Sequence, residues 1–177
     1  MAVDLEGDRA RDRAHRPDLQ SRARRQRPRL SRAVDKVAAQ LKIASIENPA
    51  GDRADIERLI RDLGQKPGSG LIFLPDALTS ARHEQIVSLV NGLRLPAIYP
   101  LRYFCTAGGL VSYGVDQDKV IRGAATYVDR ILRGAKPEDL PVQAPTEFEL
   151  VVNQKTAKQM GLQMPTSLLA RADEVIE

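Results

Sequence analysis

Residues 71–116 read LIFLPDALTSARHEQIVSLVNGLRLPAIYPLRYFCTAGGLVSYGVD, and the fold class follows from how the apolar period changes along them. Leu71, Ile72, Phe73 and Leu74 form an unbroken apolar run, which fits a central parallel strand buried on both faces. Beyond Pro75 and Asp76, a helix opened by Thr79 or Ser80 carries Ile86, Leu89, Val90 and Leu93 on one face. A strand over 96–99 follows, then a short helix over 102–106, a break at Gly108 and Gly109, and a strand over 110–113. Strands alternating with helices through short connections predict right-handed βαβ units, an α/β fold and a mostly parallel sheet.

The alternation extends in both directions. Upstream, Ser31 opens a helix with Val34, Val37, Ala38 and Leu41 at helical spacing, and a short strand is expected over 43–46. After a loop over 48–51, Asp52 caps a helix with Ile56, Leu59, Ile60 and Leu63 on one face, ended by Gly64. Downstream, Asp116 begins the longest helix, with Val120, Ile121, Ala124, Val128, Ile131 and Leu132 on one side and Gly134 as its stop. Residues 137–145 read as extended linker, 148–152 as a strand, 155–160 as a short helix, and 167–176 as a last helix.

The net charge of +4 belongs to one end of the chain. Residues 1–32 hold ten Arg and five acidic residues, which leaves 17 basic and 18 acidic residues over 33–177. This arm has no Lys and no sustained apolar period, so it is expected to be disordered. An Arg-rich arm can neutralise phosphates and bind nucleic acid. A solvated tail, or translation of GC-rich DNA outside its native frame, accounts for the same composition. The 4% aromatic content and the absence of Trp argue against a single-strand nucleic-acid surface, which needs stacking platforms.

One cysteine, Cys105, excludes an intramolecular disulfide and any cysteine-cluster metal site, and its apolar setting reads as a small buried residue. No apolar run approaches the ~18 residues of a membrane span. Residues 1–32 have no apolar segment of the roughly 7–15 residues that an export signal needs. The glycine stretches GQKPGSG and GLVSYG precede strands instead of opening helices, so neither fits a phosphate-binding loop. No HExxH, GxSxG or metal-spaced cluster is present, and nothing points to acid–base catalysis.

What remains is a set of polar groups at strand ends, where open parallel sheets bind ligands. Asp76 can hold a ligand ammonium or act as a turn residue after Pro75. Tyr99 can stack on a ligand or mark the boundary between core and surface. Arg102 can pair with a ligand carboxylate or lie free on the surface. Ser112 and Tyr113 sit beside Gly114, where the chain leaves the sheet, and Asp116 is a helix cap or a ligand contact.

The words LPD, LPAIYP, GGLVSYG, AKPEDLPV, FELVVN, KTAKQMGL and SLLARADEVIE, in this order, resemble the second lobe and C-terminal segment of ABC transporter substrate-binding proteins of the tryptophan/tyrosine type. The resemblance runs from about residue 41 to 177. It implies a type I periplasmic-binding-protein fold, in which two α/β lobes with Rossmann-like parallel sheets close on a small solute. It also implies a periplasmic location, an amino acid or similar small organic molecule as the solute, an ABC permease as partner, no cofactor and no enzymatic step. Asp76 matches the family's LPD word, and Tyr113 and Asp116 match its SYG-x-D word; these positions are expected to face the cleft.

The implied organisation is an arm over 1–32, an incomplete second lobe over 33–113, and a crossover helix with C-terminal segment over 114–177 that packs on the first lobe. On this reading the chain is a truncated fragment that does not bind solute alone. Without an export signal, it stays in the cytoplasm if made as given. A sheet lacking its first strand is also expected to expose an apolar edge. The competing reading is a cytoplasmic regulatory or interaction protein whose Arg-rich arm contacts nucleic acid.

Overall fold

The computed structural model describes residues 32–47 and 52–177. Of the arm expected to be disordered over 1–32, residues 1–31 lie outside the described residues, as does the loop expected over 48–51, whereas Arg32 is the first described residue of a helix. The chain divides into two units, Met1–Pro49 and Ala50–Glu177.

In the first unit, helix α1 (residues 32–40) carries the anticipated Val34 and Ala38 at half-buried positions. It ends as the backbone turns left-handed at Lys42, φ 57°. The Ile43 N–H then donates to the Ala38 carbonyl at 2.9 Å and the Lys42 N–H to the Ala39 carbonyl at 3.2 Å. This double closure satisfies the last helical carbonyls, with lysine where glycine is usual. The strand expected over 43–46 is not formed, and residues 43–47 are extended and exposed. Apolar β-branched residues become a strand only where a neighbouring edge completes the ladder.

The second unit opens with α2 (Arg53–Gly64). The Asp52 carboxylate accepts the Asp55 N–H at 2.9 Å, and Ile56 and Ile60, one turn apart, are buried. Then follow β1 (Leu71–Ile72), α3 (Ala77–Ala81), α4 (His83–Gly92), β2 (Ala97–Tyr99), α5 (Arg102–Thr106), β3 (Val111–Val115) and α6 (Gln117–Leu132). A 3-10 turn (Pro137–Asp139), β4 (Phe148–Asn153), α7 (Gln154–Met160), α8 (Thr166–Leu169) and β5 (Glu174–Ile176) complete it.

The strands lie in the order β1-β2-β3-β4-β5. β1, β2 and β3 are parallel, as the alternation predicts, whereas β4 runs antiparallel to β3 and β5 parallel to β4. Three expectations change. The 71–74 run forms only a two-residue strand, and among the described residues it lies at the sheet edge, with Ile72 57% exposed. The helix expected from Thr79 or Ser80 starts at Ala77, because Asp76 already caps it, and a break at Arg82 separates α3 from α4. The helix expected over 167–176 is cut to four residues. Asp173 exchanges both its N–H and its carboxylate with the backbone of Leu150 and directs the chain into β5. Helical spacing of Leu168, Leu169, Ala172 and Ile176 yields there to ladder bonds with β4.

The core lies mostly on one sheet face, where Ile56, Ile60, Ile86, Val87, Val90, Leu95, Ala97, Tyr99 and Phe104 join α2, α4 and α5 to the strands. Leu110, Val111, Ala157 and Met160 seat α7 on part of the opposite face. Residues 148–176 therefore continue the sheet of β1–β3. The chain leaves the sheet at Val115 and returns at Phe148, paired with each other. Between them α6 has no buried residue.

Candidate functional site

Three parallel strands end at the same edge, so the segments 73–76, 100–102 and 114–116 line up there. Glycine at 114 is what allows this close arrangement. A Cβ at that position would lie 1.8 Å from the Pro100 carbonyl oxygen. Gly109 plays the same part deeper down, where a Cβ would meet the Tyr99 ring at 2.7 Å.

The six residues singled out from sequence separate into an edge group and a buried group. Asp76, half-buried, caps α3: its carboxylate accepts the N–H groups of Leu78 at 2.9 Å and Thr79 at 3.4 Å. Arg102 forms a two-pronged ion pair with Glu174 of β5, Nε to Oε2 at 2.8 Å and Nη2 to Oε1 at 2.9 Å. That hydrogen bond holds the guanidinium even more firmly protonated than usual. Tyr113 is 59% exposed and stacks on Phe148 with ring centroids 5.8 Å apart. Asp116 caps α6 by accepting the Lys119 N–H at 3.1 Å. This bond, and then the Lys119 charge, holds its carboxyl below the ordinary range. Lys119 also pairs with Glu147, which lowers its tendency to release a proton.

Tyr99 and Ser112 lie beneath the edge, paired across β2 and β3. The Tyr99 ring is fully buried, sandwiched between Phe73 at 5.1 Å and Phe104 at 4.9 Å, so in this arrangement its faces are already occupied. Its hydroxyl and the Ser112 Oγ have no hydrogen-bond partner among the described residues. Burial raises the Tyr99 phenol well above its usual range. Cys105, beside them, is pushed up to about 11 by burial, which fits the inert buried thiol expected from sequence.

The edge includes groups the strand-end reading missed. Glu149 sits opposite Gly114 on β4, and its carboxyl is raised by desolvation and then by the nearby Asp116 charge. Glu174 arrives through β5, the strand that read as a helix. No local pattern in the sequence marked either of them. Among the described residues no group of three or more His, Cys, Asp or Glu is placed to hold a metal ion, and no helix is long and apolar enough to cross a membrane. The arrangement places charged and aromatic groups on an open edge.

A family model described as ABC transporter substrate binding protein matches residues 25–176. A conserved domain protein from Vibrio cholerae has a similar structure, with a TM-score of 0.71 and 27% identity over 82% of this chain and 49% of that one. A Streptococcus pneumonia ABC domain in complex with L-Trp gives a TM-score of 0.71 at 21% identity, over 84% of this chain and 51% of that one. A ligand-free, open substrate-binding protein with adhesive properties from Clostridium difficile gives 0.57 at 18% identity, over 90% and 51%. The chain thus spans about half the length of the solved structures it matches. No curated protein matches it.

Proposed function

The chain belongs to the ABC transporter substrate-binding protein family, and from that premise we propose that the edge formed by Asp76, Arg102, Tyr113 and Asp116 is one wall of a solute-binding cleft. The solute is an amino acid or a similar small organic molecule, held outside the cytoplasmic membrane and passed to an ABC permease without covalent chemistry. The observation that carries this reading is the meeting of the LPD, LPAIYP and SYG-x-D words at one sheet edge. Asp116 suits a solute ammonium and Tyr113 an apolar or aromatic side chain, while Arg102, which Glu174 holds at Nε and Nη2, has its Nη1 group left to offer a solute carboxylate. Tyr99 and Ser112 support the wall from below. The chain leaves and re-enters the sheet at 115 and 148, and in this reading α6 seats against an opposing lobe.

An open edge leaves most of a solute in water, so one wall binds weakly. Calorimetry on the chain with a panel of L-amino acids is expected to give no micromolar isotherm. A micromolar dissociation constant would sink the one-wall reading. At millimolar solute, binding that is unchanged by Tyr113→Ala and Asp116→Ala together would move the site elsewhere.

A further inference from the structure

We infer that Glu149 of β4 takes the ammonium group of a solute at this edge, and that it makes the edge prefer cationic solutes over anionic ones. The inference rests on the reading of the edge as a solute wall and adds the group that sets its charge preference. Glu149 stands opposite Gly114 in the β3–β4 ladder, and Val151, two residues on, stands opposite both Ser112 and Glu174. Paired residues, and residues two apart along a strand, share a sheet face. Glu149, Glu174, Ser112 and Tyr99 therefore share one face, on which Arg102 meets Glu174.

The other charges named at this edge already have partners. Arg102 gives its Nε and Nη2 to Glu174. Asp116 accepts the Lys119 N–H, and the Lys119 ammonium lies 3.5 Å from its carboxylate and also pairs with Glu147. Asp76 is used in the cap of α3. Glu149 is half-buried, and among the described residues no hydrogen bond or ion pair reaches its carboxylate. The charges that face it are Asp116 and Asp118 from the start of α6, Glu174 from β5 and Arg102 from α5. Three carboxylates thus stand against one guanidinium, which Glu174 already holds.

Desolvation, and then the Asp116 charge, make the ionised form of Glu149 costly. A cation brought from outside offsets that cost, whereas a second anion adds to it. Gly114, opposite, puts no side chain over the carboxylate. One repeat inward on the same face, the Ser112 Oγ and the Tyr99 hydroxyl are buried without a partner among the described residues. Such groups mark where a water or a ligand completes the bonding. An ammonium has three N–H donors, so it can bond Glu149 and still turn a donor toward Asp116.

Three probes of one shape separate the charges: tryptamine carries only the ammonium, indole-3-propionate only the carboxylate, and L-tryptophan both. The ¹⁵N-labelled full chain is titrated with each to millimolar levels at pH 7, following the amides of residues 114–116 and 148–150. Tryptamine is expected to bind most tightly and indole-3-propionate most weakly. Glu149→Gln, which breaks no side-chain bond of the fold, should weaken tryptamine roughly tenfold and leave indole-3-propionate level or tighter. Glu149→Asp should retain most of the tryptamine affinity. Asp118→Asn changes the net charge by the same amount and is expected to leave every probe within about twofold. In the parent, tryptamine affinity should fall as the pH drops into the carboxylate range, because proton and ammonium compete for Glu149, and Glu149→Gln should flatten that slope. Tryptamine bound equally by Glu149→Gln and the parent, or weakened as much by Asp118→Asn, overturns the inference and leaves the solute wall standing. So does an edge that shifts with an L-amino acid but not with tryptamine. An edge that responds to no probe and no amino acid overturns both.

Discussion

Replacing Gly114 by alanine should open the sheet edge on which the site is built. The new Cβ would stand 1.8 Å from the Pro100 carbonyl oxygen and 2.8 Å from its carbon. Real Cβ contacts essentially never fall below 3.0 Å, and the obstructing atoms are backbone, so no rotamer change relieves the clash. β2 and β3 must move apart near the Tyr99–Ser112 pair, and the ladder there weakens. Overpacking costs about 1–3 kcal/mol, and each weakened ladder bond about 1 kcal/mol more. A loss of about 3 kcal/mol or more is therefore expected, a large part of a typical total of about 5–15 kcal/mol. Urea unfolding followed by circular dichroism measures it. Gly123→Ala is the control. It lies inside α6 with nothing within 4 Å of its Cβ, and alanine there should stabilise by about 0.5–1 kcal/mol. If Gly114→Ala unfolds within about 0.5 kcal/mol of the parent, the close approach of β3 to Pro100 is not real.

Three further expectations follow from particular side chains. Tyr99→Phe removes a buried hydroxyl without a partner among the described residues, so thermal unfolding should shift upward or stay level; a loss above about 1 kcal/mol would mean that the hydroxyl is bonded. Asp76→Ala removes the α3 cap and should cost about 0.5–2 kcal/mol, with Asp76→Asn recovering most of it in the same unfolding assay. Glu149 has a folded-state pKa above its unfolded one, so its proton favours the fold at low pH and that contribution is lost as pH rises through the folded value. Glu149→Gln should therefore raise the urea midpoint slightly at pH 7 and not at pH values below the ordinary carboxylate range; the reverse pattern contradicts this.

The parallel β1–β2–β3 unit was legible because its strands are short apolar runs separated by well-marked helices with clear starts. Asp52 and Asp116 cap the helices that the sequence assigned to them. What the sequence hid is tertiary. Residues 167–176 carry a helical period, and only the bonds between Asp173 and Leu150 convert their end into β5. With β5 comes Glu174, so the partner of Arg102 could not be found from local pattern, lying 72 residues away. Tyr99 closes a strand, which suggests a site, but its place among Phe73 and Phe104 depends on how α5 folds back over β2. The crowding at Gly114 likewise exists only once Pro100 is beside it.

The central claim is that the carboxyl edge of β1–β3 receives the solute, and a nuclear magnetic resonance titration tests it residue by residue. ¹⁵N-labelled chain titrated with L-tryptophan and other L-amino acids to millimolar levels should show saturable shifts at Asp76, Arg102, Tyr113, Gly114 and Asp116. The amides of α2 and of the C-terminal turn of α4, which Asn91 ties to Gly108 at the opposite end of β3, should stay in place. Shifts centred on α2 and the C-terminal turn of α4, or none at any concentration for any amino acid, would contradict the account.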